Sequence, residues 1–119
     1  MNVHERIDYL EYPAVDLEAT KAFFSTVFAW KFTDYGPDYI AFARQGDGVE
    51  GGFYRARLKS ISENGAALTV FYSDDLELTQ AKIERAGGNI IKAIFSFPGG
   101  KRFHFTEPSG NEFAVWSAD

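Results

Sequence analysis

Apolar residues recur along this chain with two different periods, and the places where the period changes divide it into strands and helices. Leu17, Thr20, Phe24 and Phe28 keep the spacing of one helical face. Asp16, just before them, carries the side-chain oxygen that an N-cap uses to accept from free amides of the first turn. The same device recurs at Asp75, so helices are predicted over 17–28 and 75–87. The second is closed by Gly87-Gly88, where a left-handed cap meets no Cβ, and the first ends in Ala29-Trp30. A short stretch rich in aromatic and aliphatic residues precedes each helix, at 7–12 and 66–72, and reads as a strand. Three further strands follow each helix, at 30–33, 38–43 and 49–55 in the first half and at 89–97, 102–106 and 112–116 in the second. Asp47-Gly48, Pro98-Gly99-Gly100 and Pro108-Ser109-Gly110-Asn111 supply the turns between them.

The two halves are versions of one unit. A shift of 59 positions, the separation of Asp16 and Asp75, brings Leu17 onto Leu76, Glu18 onto Glu77, Thr20 onto Thr79 and Ala22 onto Ala81. The chain is therefore expected to be an α+β domain of two tandem βαβββ modules, residues 1–57 and 66–119. A polar connector holding Ser60, Ser62, Asn64 and Gly65 joins them.

Composition narrows the function. A chain of 119 residues is too short to divide into two self-sufficient cores, and 45% hydrophobic with 17% aromatic content is enough for one. The net charge of -5, without a Lys/Arg cluster, argues against a nucleic-acid partner. With no cysteine, disulfides, thiolate nucleophiles and Cys-ligated metals are all excluded. The polar residues 1–6 and the lack of a long apolar run predict no membrane association and a cytoplasmic protein. The glycine pairs are followed by strands, so no phosphate loop is predicted.

Paired βαβββ modules are accompanied here by local wording. Val15-Asp16-Leu17-Glu18, Phe23-Phe24 and Val27-Phe28-Ala29-Trp30 near the start, with Thr106-Glu107-Pro108-Ser109-Gly110-Asn111 near the end, resemble the glyoxalase, bleomycin-resistance and extradiol dioxygenase (vicinal oxygen chelate) superfamily. Ala29 stands where that family usually has Gly, and Glu107 where it has Asp. The resemblance implies a curved mixed sheet around a concave cleft, with the helices on the outer face, and a homodimer. It also implies a divalent metal held by one residue from the first and last strand of each module. Those positions are Tyr9, Gly52, Leu68 and Ala114, none of them a His or a carboxylate, so no metal cofactor is expected there. A displaced site built from Glu11, His104 and Glu112 is the metal-dependent alternative.

Strand alternation selects the candidate site. If Phe103, Phe105, Phe113 and Val115 pack against the helices, then His104, Glu112, Ala114 and Trp116 share the opposite face, with Tyr9 and Glu11 on the first strand. Glu50 and Tyr54 match Glu112 and Trp116 in the first module. Glu11, flanked by Leu10, Tyr12 and Pro13, is expected to be partly desolvated and is the candidate general base; His104 is the candidate proton shuttle. Tyr9, Glu11, Gly52, Tyr54, Leu68, His104, Glu112, Ala114 and Trp116 then line a site for a small hydrophobic or aromatic molecule. Against this binding protein stand a metal-dependent lyase, isomerase or dioxygenase and a regulatory domain with no chemistry.

Overall fold

Each predicted element is present, in the predicted order. The computed structural model of the chain describes residues 2–118. The first module runs β1 (Tyr9–Ala14), α1 (Leu17–Phe28), β2 (Phe32–Asp34), β3 (Tyr39–Phe42) and β4 (Glu50–Arg55). The second runs β5 (Thr69–Tyr72), α2 (Leu76–Arg85), β6 (Asn89–Phe97), β7 (Gly100–Thr106) and β8 (Glu112–Ala118). Both helices start as their sequences dictate: the Asp16 side chain accepts from the Ala19 amide and that of Asp75 from the Leu78 amide. Helix α2 is shorter than expected, ending at Arg85, and Gly87 follows with φ of 98°. Trp30 lies outside β2 because its ring is taken into the core, stacked on Phe24 at 4.6 Å and on Phe42 at 4.1 Å.

Every module makes a sheet of its own. The strand orders are β1-β4-β3-β2 and β5-β8-β7-β6, with β1 parallel to β4, β5 parallel to β8, and the other pairs antiparallel. The single curved sheet expected from the sequence is thus two sheets without a shared ladder. One face of each is buried. Phe53, Phe103, Phe105, Phe113 and Val115 are fully buried against the helices, and α1 unites the modules because Phe24 contacts both Phe53 and Phe113 while Phe28 stacks on Phe71 at 4.2 Å. Burial of each such ring contributes about 1.5–3 kcal/mol, an upper figure for an extended unfolded chain.

The turn after β7 that carries the family wording is a clamp between the modules. Glu107 is buried and accepts from the Thr20 hydroxyl at 2.7 Å, the Ser109 amide at 3.1 Å, and the backbone and side-chain amides of Asn111 at 3.2 and 2.8 Å. Asn111 also donates to the Pro13 carbonyl at 2.6 Å and accepts from the Ser60 amide at 2.8 Å. One side chain therefore ties β1, the connector and the turn after β7 together. Burial pushes the Glu107 carboxyl up even against those four donors.

Candidate functional site

The faces of the two sheets turned away from the helices carry the candidate residues. In the first sheet the register sets Tyr9 beside Glu50, Glu11 beside Gly52 and Ala41, and Pro13 beside Tyr54 and Tyr39. The Tyr39 phenol reaches over Gly52, donating to Glu11 Oε2 at 2.9 Å and meeting the Tyr9 hydroxyl at 2.6 Å. Burial, followed by these two hydrogen bonds, pushes the Tyr39 phenol far up, so its proton stays in place. A cavity of about 490 Å³ opens beside it, lined by Tyr9, Tyr35, Tyr39 and Glu50 among others.

Glu11 is exposed, which corrects the expected desolvation. Its neighbours Leu10 and Tyr12 point through the sheet to the opposite face, as alternation requires, and cannot cover it. What holds the carboxylate is Tyr39, a residue that sequence reasoning did not select. The available signal was Gly51-Gly52 inside a strand, since glycine there marks close approach of another group. A Cβ built on Gly52 would run into the Tyr39 ring and hydroxyl.

In the second sheet, two rows cross the strands. Val70, Ala114, His104 and Lys92 form one, and Tyr72, Trp116, Arg102 and Phe95 the next. His104 Nδ1 lies 2.8 Å from Glu112 Oε2, and Glu112 Oε1 accepts from the amide and hydroxyl of Ser62, both at 2.8 Å. Burial works to raise the Glu112 carboxyl, but the hydrogen bonds from His104 and Ser62 outweigh it and hold it below the usual range. An ionised carboxylate only accepts, so the ring proton sits on Nδ1. Nε2, on the other side of the ring, is buried without a hydrogen-bond partner. A cavity of about 740 Å³ adjoins this pair, lined by Lys59, Ser62, Lys92, His104, Thr106 and Glu112 among others. Ser62 was also missed, because it lies in a connector that reads as merely polar and folds into a one-turn 3-10 helix, Ser62–Asn64.

The positions at which the resemblance would place metal ligands divide between the sheets: Tyr9 and Gly52 on the first, Ala114 on the second, and Leu68 one residue before β5. Leu68 and Ala114 offer no donor atom, and the space above Gly52 holds the Tyr39 ring. These residues do not fit a divalent ion. Glu11, His104 and Glu112 do not come together as the displaced site either: Glu11 accepts from Tyr39 on the first sheet, while the other two are paired on the second. Among the described residues no group of three or more His, Asp or Glu stands close enough to hold an ion. Nor, among them, is any helix long and apolar enough to cross a membrane.

Residues 6–115 match the family model of the Glyoxalase/Bleomycin resistance protein/Dioxygenase superfamily. The chain belongs to this superfamily. A glyoxylase-like domain-containing protein from Didymella fabae is 29% identical, over 97% of this chain and 95% of its own length. Among solved structures with the same superfamily fold, a glyoxalase-related enzyme from Fulvimarina pelagi superposes with a TM-score of 0.77 at 16% identity, over 95% of this chain and 88% of that one. An antibiotic binding protein from Streptomyces sp. CB03234 superposes with a TM-score of 0.72 at 15% identity, over all of both chains. At these identities the likeness shows the superfamily fold, and function has to be argued from the site.

Proposed function

We propose that this superfamily member binds a small aromatic molecule on the helix-free faces of its sheets, in the manner of a bleomycin-resistance-type protein, without a divalent metal. The observation that carries this reading is the Tyr39 ring lying over Gly52, with Leu68 and Ala114 at the matching places of the second module. A superfamily enzyme relies on its metal as a Lewis acid. Here that location is filled by aromatic and aliphatic groups, which favour a ring over an ion. Tyr9, Tyr35 and Tyr54 on the first sheet and Tyr72 on the second are exposed aromatic walls, and the similar fold of an antibiotic binding protein supports the same reading.

Homodimerisation and cytoplasmic localisation belong to the proposal; a 13.3 kDa particle in light scattering would remove the first, and cell fractionation checks the second. The binding test is a thermal-shift screen of aromatic metabolites and antibiotics, in chelator and in added zinc, nickel, iron or manganese. Stabilisation by an aromatic compound in chelator is the expected result. Stoichiometric metal uptake with turnover of methylglyoxal–thiol adducts would replace the reading with a metal-dependent lyase.

A further inference from the structure

The second sheet carries more than an aromatic wall. His104 is buried to 7% side-chain exposure, its Nδ1 is committed to Glu112, and its Nε2 has no protein partner. Buried nitrogen atoms in native proteins are almost always matched, and one left unmatched beside a cavity calls for a ligand group. The surroundings say which group. Lys92 is directly across the ladder from His104 and exposed, with its Nζ 5.2 Å from the Phe95 ring centroid. The Arg102 guanidinium lies over Phe95 at 5.5 Å and Phe97 at 5.9 Å, and its Nε is likewise unpartnered. Lys59 lines the same cavity, and the Glu112 carboxylate facing it is already bound by Ser62 and His104. Two lysines, Lys59 and Lys92, thus face the cavity beside this imidazole, with Glu63 on its rim and Arg102 in the next row. The next row, Tyr72, Trp116 and Phe95, is two residues along the strands, about 7 Å away and so about one aromatic ring distant.

Resting on the reading above, we propose that the second sheet binds an acidic aromatic molecule, a phenol, and that the neutral His104 ring takes up its proton. The O–H bond of the ligand breaks and an N–H bond forms at His104 Nε2. The electron pair stays on the ligand oxygen, which becomes an anion beside Lys92. The imidazolium is neutralised from behind by Glu112, so the proton moves without a change in total charge. The first sheet is not built for this, because its carboxylate Glu11 already accepts from Tyr39 and, among the described residues, its helix-free face holds no histidine.

The test uses 4-nitrophenol, which colours on ionisation, and 4-nitroanisole, its analogue without the acidic proton. Both are titrated against the full chain, with quenching of Trp fluorescence as the measure of binding. At a pH where free 4-nitrophenol is mostly protonated, the bound probe is expected to show the phenolate absorption and to bind about tenfold more tightly than 4-nitroanisole. Lys92→Met, on the exposed surface, is expected to remove most of that preference. His104→Gln should abolish the colour, and Glu84→Gln, exposed on α2, should change nothing. Equal, colourless binding of both probes, or a Lys92→Met protein that keeps the preference, would overturn this inference and leave the aromatic site standing. Failure of both probes to quench would overturn both.

Discussion

The two helix-free faces start from one backbone plan and end in opposite chemistry. Glu11 pairs with Gly52 in the first sheet as Val70 pairs with Ala114 in the second, so the ladders are equivalent. On the first, an exposed carboxylate accepts from Tyr39 with Tyr9 behind it, and hydrogen bonds close the cluster on itself. On the second, a buried carboxylate takes three donors and leaves an imidazole nitrogen unmatched beside lysines. The repeat has preserved the scaffold and let each face diverge, which is why the fold alone does not name the ligand.

Exchanging the two equivalent small residues should break the comparison most sharply. Gly52→Ala places a methyl group against the Tyr39 ring and 2.8 Å from the Ile40 carbonyl, and overpacking of this kind costs about 1–3 kcal/mol. Tyr39 must leave Glu11. Ala114→Gly removes a methyl group from a buried strand and is expected to cost about 0.5–1 kcal/mol while leaving His104 on Glu112. Denaturant unfolding of both variants gives the figures; equal costs would show that Tyr39 does not occupy the space above Gly52.

Neutralising the carboxylates should separate the faces next. Glu112→Gln leaves one of three buried donors poorly matched and is expected to cost about 1–2 kcal/mol, whereas exposed Glu11→Gln should stay within about 0.5 kcal/mol. A smaller difference follows in pH dependence. Because the Glu112 carboxyl is held below its ordinary value of 4.5, its stabilisation is complete above that pH and is lost as pH falls through the lowered value. Glu107 works with the opposite sign: raised above 4.5 by burial, it stabilises fully below that pH and loses this as pH rises through its raised value. Thermal unfolding from pH 3 to 7 should therefore show a shallower acid loss in Glu112→Gln than in the parent (roughly the carboxylate titration range), and no such flattening in Glu11→Gln.

The sequence made the scaffold legible and the contacts across it much less so. Periodicity, the caps Asp16 and Asp75 and the turn glycines are local signals, and they located both helices and all eight strands. Alternation also sorted Phe103, Phe105, Phe113 and Val115 to the buried face. Partners distant in sequence carried no such mark. Tyr39 is 28 residues from Glu11, and Ser62 is 50 from Glu112; each meets its carboxylate only because the ladder and the connector bring them together. For the same reason Glu11, His104 and Glu112 could be grouped on paper though they lie on different sheets. The Asn111 turn was read as family wording, and its role as a clamp emerged only from its bonds to Pro13 and Ser60.

The smallest expected effect lies where the modules make the same demand of the backbone and answer it with different residues. After α1 the chain turns through a left-handed conformation at Ala29, with φ 58° and ψ 32°, and the cap amide donates to the Phe24 carbonyl. After α2 the corresponding turn uses Gly87, with φ 98°. A non-glycine residue in that region carries about 1–2 kcal/mol of steric strain, partly offset because glycine gives the unfolded chain more freedom. Ala29→Gly should therefore stabilise by about 0.5–1 kcal/mol, and Gly87→Ala should destabilise by about 1 kcal/mol or more. If Ala29→Gly instead destabilised the protein in denaturant unfolding, the Ala29 methyl would have to contribute packing that exceeds the strain. The first module's departure from the superfamily's usual glycine would then be a favourable contact, and the two helix ends would differ in what they pack against as well as in which residue makes the turn.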